Sequence, residues 1–344
     1  MCVISSTWNM CTPWKCSGDL GFGWSWDDLP DDYAAGVGAL QFNENAVRVT
    51  VAPGPAAGDS AGVALVPGSS GLTIVNSVTT GATGSPAAIG THRLPGSMRL
   101  ELSGSIPAGA APSTLVVSVD NPTQFFVNAL RAALIANGID VRGPAVDIDE
   151  VRDAPAADRR TPVLTYQSAP LSTLAVRLMK VSQNQYAETF LKTVGAGPGV
   201  VPSAAAGRSA AQRVFERWGI RADGLIQRDG SGLSRYDYVT PEALVTILTH
   251  VARDTRLKGL FEAALPIAGR DGGLMNRMKG TPAEDNARAK TGSMTAVRGL
   301  SGYVTSADGE PLVFSILANN FDTPPATITS TADAIVARLA QFKR

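Results

Sequence analysis

The chain has 344 residues and sets 30 Lys and Arg against 30 Asp and Glu. With no net charge it has no bulk electrostatic hold on nucleic acid, so that class of partner is excluded. The length admits two or three domains, and no apolar run approaches the roughly 20 residues of a transmembrane segment. The first residues also lack the basic start and apolar block of a signal peptide. All three cysteines, Cys2, Cys11 and Cys16, fall at the N-terminal end, far from the two histidines, His92 and His250. A zinc site needs about four clustered ligands, so neither a metal nor a cofactor is expected. His92 sits in a Gly- and Thr-rich stretch and His250 late in a helical pattern. Both read as surface residues, which leaves a Ser-His-Asp mechanism unsupported.

Residues 1–20 concentrate Cys, Trp and Met without a period and read as an atypical segment, disordered or artefactual. Order begins at Gly23. Val47, Val49 and Val51 alternate with polar neighbours, the pattern of a half-buried strand. Further short strands are expected near 62–66, 72–76, 98–104 and 114–119, separated by Gly, Pro and Ser. Asn121-Pro122 has the N-cap and N1 chemistry of a helix start, with Phe125, Phe126, Ala129, Leu130, Ala133 and Leu134 as its apolar face and Gly138 at its end. A strand is expected over Ile139 to Val146. A polar, Pro-containing linker follows over Ala154 to Arg160. These signals divide the chain into an atypical segment 1–20, a β-rich accessory region 21–160 and a second domain 161–344.

The second domain mixes helices and strands. Leu171, Leu174, Leu178 and Val181 recur at helical spacing, and Tyr186 to Val194 reads as a second helix stopped at Gly195. Helices are also expected over Ser209 to Trp218, from Thr240-Pro241-Glu242 to about Arg253, and over Ala326 to Phe342. The last has Ile328, Ala332, Ile335, Val336 and Leu339 on one face. Val297 to Val304 and Leu312 to Ala318 form a hairpin around Ala307-Asp308-Gly309. The fold class is mixed α+β: an antiparallel sheet covered by helices, with a β-rich accessory region.

Two short motifs carry chemistry. Lys290-Thr291-Gly292 stands at the expected start of a strand. There a fixed cation, a hydroxyl and the following amides suit a carboxylate lying beside the strand, and Gly292 admits close approach. Ser182-Gln183-Asn184 falls at a helix-to-helix junction. Together, Ser-x-Asn and Lys-Thr-Gly are the paired signature of serine acyl-transferases that act on penicillin and on D-alanyl-D-alanine peptides.

Seven stretches in one order resemble a single family. They are Gly23-Trp-Ser-Trp-Asp-Asp28, Asn43-Glu-Asn45, Gln167-Ser-Ala-Pro-Leu171, Ser182-Gln-Asn184, Asp229-Gly-Ser-Gly-Leu-Ser-Arg235, Leu265-Pro-Ile-Ala-Gly269 and Lys290-Thr-Gly292. The chain resembles the class C low-molecular-mass penicillin-binding proteins, D-alanyl-D-alanine carboxypeptidases and endopeptidases of the cell wall. The resemblance implies a penicillin-binding, β-lactamase-like transpeptidase domain, an extracytoplasmic or periplasmic location, and peptidoglycan stem peptides and β-lactams as ligands. It also implies roles: Ser182 relays a proton towards the leaving amine, Asn184 holds the substrate amide, and Lys290 sets the field on Ser182. Thr291 binds the terminal carboxylate beside Gly292, and the Ser293 amide supplies half of an oxyanion hole. Asp28, Tyr33 and Arg235 match positions that hold a diaminopimelate-type side chain, although relatives can carry Gln where this chain has Thr295.

The family's nucleophile lies in a Ser-x-x-Lys motif, and no Ser of this chain has Lys three residues later. The nearest forms, Thr12 with Lys15, Thr189 with Lys192 and Thr255 with Lys258, stand outside the family's order. Two expectations follow. One is a carboxypeptidase or endopeptidase whose N-terminal part, with the nucleophile, is missing from the transpeptidase domain. The other is a catalytically inactive relative that binds wall peptides or partners.

Overall fold

A computed structural model describes residues 4–6, 20–152, 164–197 and 202–344. The chain divides into two compact units, residues 1–166 with 196–203 and residues 167–195 with 204–344. The linker expected over 154–160 lies outside the described residues, as does most of the segment 1–20. Within that segment Ile4–Ser6 (β1) pairs in parallel with Leu164–Tyr166 (β8), so three residues without a readable period belong to a strand.

The first unit is built on two three-stranded sheets. Ala46–Ala52 (β2) lies between Gly62–Val66 (β3) and Ser113–Ser118 (β7), antiparallel to both. Its alternation buries Val47, Val49 and Val51 completely. In the second sheet Arg99–Pro107 (β6) is flanked by Thr73–Gly81 (β4), in parallel, and Ala88–His92 (β5), antiparallel. No strand was expected at β5. His92 therefore ends a strand rather than standing in a loop, and its Nδ1 lies 3.5 Å from the Glu101 carboxylate. Leu100, Leu102, Ile106 and Phe125 join the three valines in one core.

Pro122–Ala136 (α1) closes this unit. The Asn121 side chain accepts the Gln124 amide at 2.8 Å, the N-cap bond expected from its sequence. The strand expected over Ile139 to Val146 does not form. Side chains of α1 take the backbone groups of that stretch instead: Arg131 donates to the Gly143 carbonyl, and Gln124 bonds both the Ala145 carbonyl and the Asp147 amide. A segment whose polar backbone is satisfied this way needs no ladder partner.

The second unit opens with Leu171–Val181 (α2), Asn184–Val194 (α3) and Ala204–Arg217 (α4). The last begins at Ala204 rather than Ser209, because Gly207 lets α4 press on α3: a Cβ there would lie 1.9 Å from the Leu191 carbonyl oxygen. Leu225–Ile226 (β9) and Tyr238–Val239 (β10) bracket the loop 227–237. Pro241–Arg253 (α5), capped by Thr240 as expected, and Lys258–Ala264 (α6) follow. Arg288–Met294 (β11), Val297–Thr305 (β12) and Pro311–Asn319 (β13) form an antiparallel sheet in that order. Pro325–Ala340 (α7) sets Ala332, Val336 and Ala340 into a core with Ala287, Ala289, Leu300 and Phe314. Ile335, expected on that face, is 44% exposed, because the buried stripe runs strictly every fourth residue and misses it. Among the described residues no helix is long and apolar enough to cross a membrane.

Candidate active site

Three segments of the second unit converge. The first is the junction between α2 and α3. Helix α2 ends at Val181 and is capped by Ser182, whose backbone turns left-handed (φ 58°, ψ 49°) and whose amide still bonds the Leu178 carbonyl. A non-glycine residue there costs about 1–2 kcal/mol and persists only where its surroundings hold it. Ser182 is exposed. Asn184 is the first residue of α3 and half-buried, behind a Gln183 N-cap whose side chain accepts the Gln185 amide at 2.7 Å.

The second segment is β11. The Lys-Thr-Gly triplet lies inside this strand rather than at its start, because Arg288 and Ala289 already pair with β12. Ala287 and Ala289 are fully buried, so Lys290, next along the strand from Ala289, is turned to the opposite face. Its Nζ donates to Ser182 Oγ at 2.7 Å and to the Thr291 carbonyl at 2.7 Å. Burial pushes the Lys290 ammonium down to about 8. The outer edge of β11 is covered first by residues 266–268, through Ala268 N to the Ala287 carbonyl and Ala289 N to the Pro266 carbonyl. The amides of an antiparallel strand alternate in direction, so those of Thr291 and Ser293 point to the same edge, beyond that cover. A Cβ built at Gly292 would meet nothing within 4 Å, so nothing crowds the strand there.

The third segment is the loop from Asp229 to Arg235. Asp229, only 2% exposed, accepts the amides of Gly232 and Ser234, each at 2.7 Å, and wraps the loop around itself. Glu188, one turn along α3 from Asn184, accepts the amides of Gly230 and Ser231 at 2.9 and 2.8 Å and ties the loop to that helix. Arg235 is exposed and donates to the Thr295 carbonyl at 3.3 Å, at the turn where β11 leads into β12.

Asp28 and Tyr33 belong to the first unit. The Tyr33 hydroxyl donates to Asp28 Oδ1 at 2.8 Å. Burial and hydrogen bonds to Asp31 and Asp28 raise the Tyr33 hydroxyl far above its ordinary value, so it remains a donor. His250 is stacked on Trp218 with ring centroids 5.1 Å apart, and its Nε2 contacts the Trp218 carbonyl. That contact gives it a structural role. Among the described residues no three His, Cys, Asp or Glu gather where a metal ion could sit.

Several supporting residues carry no motif. Lys180, in the last turn of α2, grips both oxygens of Asp271 at 2.8 and 2.7 Å, and Asp271 also accepts the Ile267 amide. Burial raises the Asp271 carboxyl, but Lys180 and the Ile267 amide outweigh it and hold the group below its ordinary value. This bridge fastens the Ser182 junction to the segment covering β11. Gly272 (φ 53°) and Gly273 make room for it: Cβ atoms there would lie 2.6 Å from the Lys180 carbonyl and 2.9 Å from Thr291 Oγ1.

Asp237 adds a proton to this framework. Burial, then a hydrogen bond and charge from Asp229, push its carboxyl from 3.8 up to about 8. Burial and the Asp229 charge raise Glu188 in the same direction. The folded chain thus keeps a proton that the unfolded chain releases. Asp237's contribution to stability is full below about pH 3.8, declines as pH rises, and is lost above about pH 8. The urea midpoint of the chain, measured relative to Asp237→Asn, should therefore fall as pH rises from the acid side towards 8. A difference between the two that does not change with pH would overturn the raised Asp237 carboxyl.

The sequence profile of the D-Ala-D-Ala carboxypeptidase 3 (S13) family matches residues 10–342. The chain belongs to that family. It is 35% identical over 341 residues to the D-alanyl-D-alanine carboxypeptidase of Actinomadura sp. (strain R39), a match covering 96% of this chain and 62% of that one. It is 29% identical over 229 residues to the D-alanyl-D-alanine carboxypeptidase DacB of Haemophilus influenzae, covering 65% of this chain and 46% of the relative. The chain thus spans less than two thirds of the length of either S13 relative. In fold it is similar to the crystal structure of penicillin binding protein 4 (dacB) from Haemophilus influenzae. There the TM-score is 0.79 at 23% identity, covering 95% of this chain and 73% of that one. The S13 match begins at residue 10, inside the segment 1–20 that composition set apart.

Proposed function

We propose that this chain carries one wall of a serine-type D-alanyl-D-alanine carboxypeptidase site acting on peptidoglycan stem peptides, and that its acylating serine is not among these 344 residues. The observation that carries the reading is the 2.7 Å contact between Lys290 Nζ and Ser182 Oγ, beside an open strand edge. An ammonium donating to the hydroxyl oxygen leaves the serine proton free to point outward, towards a leaving amine. Thr291 Oγ and the Lys290 charge would take the terminal carboxylate of the peptide. The Ser293 amide would donate to the developing oxyanion, and Asn184 would hold the substrate amide. Arg235 would bind the carboxylate of a diaminopimelate-type side chain. In this reading residues 21–160 are accessory, residues 161–344 belong to the transpeptidase domain, and the protein works outside the cytoplasm on wall peptides and β-lactams.

The test needs the nucleophile in place. Fused to a relative's Ser-x-x-Lys segment, the chain should release terminal D-alanine from stem peptides, faster with diaminopimelate than with lysine at the third position. Arg235→Ala should erase that preference. Absence of D-alanine release would sink the carboxypeptidase reading, and equal rates on both peptides would sink only the side-chain assignment. A second reading, an inactive peptide-binding relative, draws on the missing Ser-x-x-Lys and predicts peptide binding without release in the fused form.

A further inference from the structure

Away from Ser182, the face of the sheet opposite the α7 core holds a cavity of about 570 Å³ between α5, α6, β12 and β13. That volume lies within the range of small-molecule sites. Arg253 of α5, Lys258 of α6 and Arg288 of β11 line it, with Glu262 of α6 as their one acidic neighbour in the lining. Three cations against one carboxylate leave two positive charges. Among the described residues none of the three cations makes an ion pair. Other surface arginines of this unit behave otherwise: Arg256 is held by Asp254 at 2.7 Å and Arg221 by Asp223 at 2.5 Å.

The cavity has a firm apolar wall. Tyr303 lines it, with its hydroxyl donating to the Leu248 carbonyl at 2.8 Å and its ring edge-on to Phe261 at 6.5 Å. Val313 and Ala252 extend that wall. The rim at Thr305 is strapped down by Asn286, which bonds both its amide and its carbonyl. A preformed pocket with an aromatic wall and two uncompensated positive charges selects for an anion of charge near two that carries an apolar group. A monocarboxylate would leave one charge unanswered, whereas a phosphate monoester carries about −1.5 to −2 at neutral pH and three acceptor oxygens.

We propose that this cavity is a binding site for a phosphate monoester with an apolar body, separate from the Ser182–Lys290 contact and independent of the function proposed above. The phosphoryl group would lie among Arg253, Lys258 and Arg288, and the apolar body against Tyr303 and Val313.

Calorimetry on the 344-residue chain, in phosphate-free buffer at low salt, tests this with phenyl phosphate, benzoate and inorganic phosphate as probes. Phenyl phosphate should bind saturably and more tightly than either of the others. Arg253→Ala and Lys258→Ala should each weaken it by about tenfold, the scale of one charged hydrogen bond. Both residues are exposed, so these variants keep the fold. Arg256→Ala, which removes an equal charge from a residue outside the lining, should leave the affinity unchanged. Absence of saturable binding, an equal loss in Arg256→Ala, or benzoate matching phenyl phosphate would each overturn the site. Inorganic phosphate matching phenyl phosphate would overturn the role of the apolar wall.

Discussion

A labelled penicillin should leave no covalent mark on the 344-residue chain. Acylation needs a nucleophile with a base to take its proton, and the sequence holds no Ser-x-x-Lys to provide the pair. Ser182 is an unsuitable substitute. The Lys290 ammonium donates to its oxygen and so lowers its electron density for attack. Removing the nucleophile from a serine hydrolase costs on the order of 10⁶ in turnover, leaving only binding and fixed electrostatics. Intact-mass spectrometry after incubation should therefore show the unmodified mass, and the same chain fused to a Ser-x-x-Lys segment should gain one penicilloyl group. An adduct on the unfused chain would overturn this, and its peptide map would locate a nucleophile that the motifs do not reveal.

The second large effect is expected at Lys290, again in the fused form. In the proposed site Lys290→Ala removes the charge that would face the substrate carboxylate, and with it the donor to Ser182 Oγ. A loss of about 10²–10³ in acylation rate follows, the scale seen when one fixed donor is removed from a polar active site. The pH profile makes the test specific. Because burial pushes Lys290 down to about 8, its positive charge is present below that pH and lost above it, so acylation should fall as pH rises through about 8. Lys290→Arg stays charged throughout. It should act more slowly, for want of fit, but without the alkaline decline. An unchanged rate in Lys290→Ala would remove Lys290 from the chemistry.

The candidate site was legible in the sequence where chemistry demands a fixed residue type at a fixed local spacing. Ser182 and Lys290 lie 108 positions apart, and only the pairing of their motifs connected them before the 2.7 Å contact was seen. Element types were equally legible where periodicity was strong, as at Val47, Val49 and Val51. What escaped was set by partners distant in sequence. The 139–146 stretch has apolar residues suited to a strand, yet the side chains of α1 take its backbone bonds. Ile335 fits a helical face in one dimension and misses the stripe in three. Lys180, Asp271 and Gly272 form no motif, because a salt bridge and a close approach between separated segments leave no spacing to read. Asp237 looks like a loop acid until Asp229 is found beside it.

The left-handed backbone at Ser182 sets chemistry against stability at a single position. Glycine, and to a lesser degree asparagine, adopts φ near 58° without the crowding a serine side chain suffers there. Ser182→Gly would therefore relax the junction by up to about 1 kcal/mol while deleting the hydroxyl that meets Lys290. Mutational drift acting on stability alone would run downhill towards glycine at this site. A serine there stands against that slope, and the proton relay proposed for its hydroxyl would be a reason to keep it.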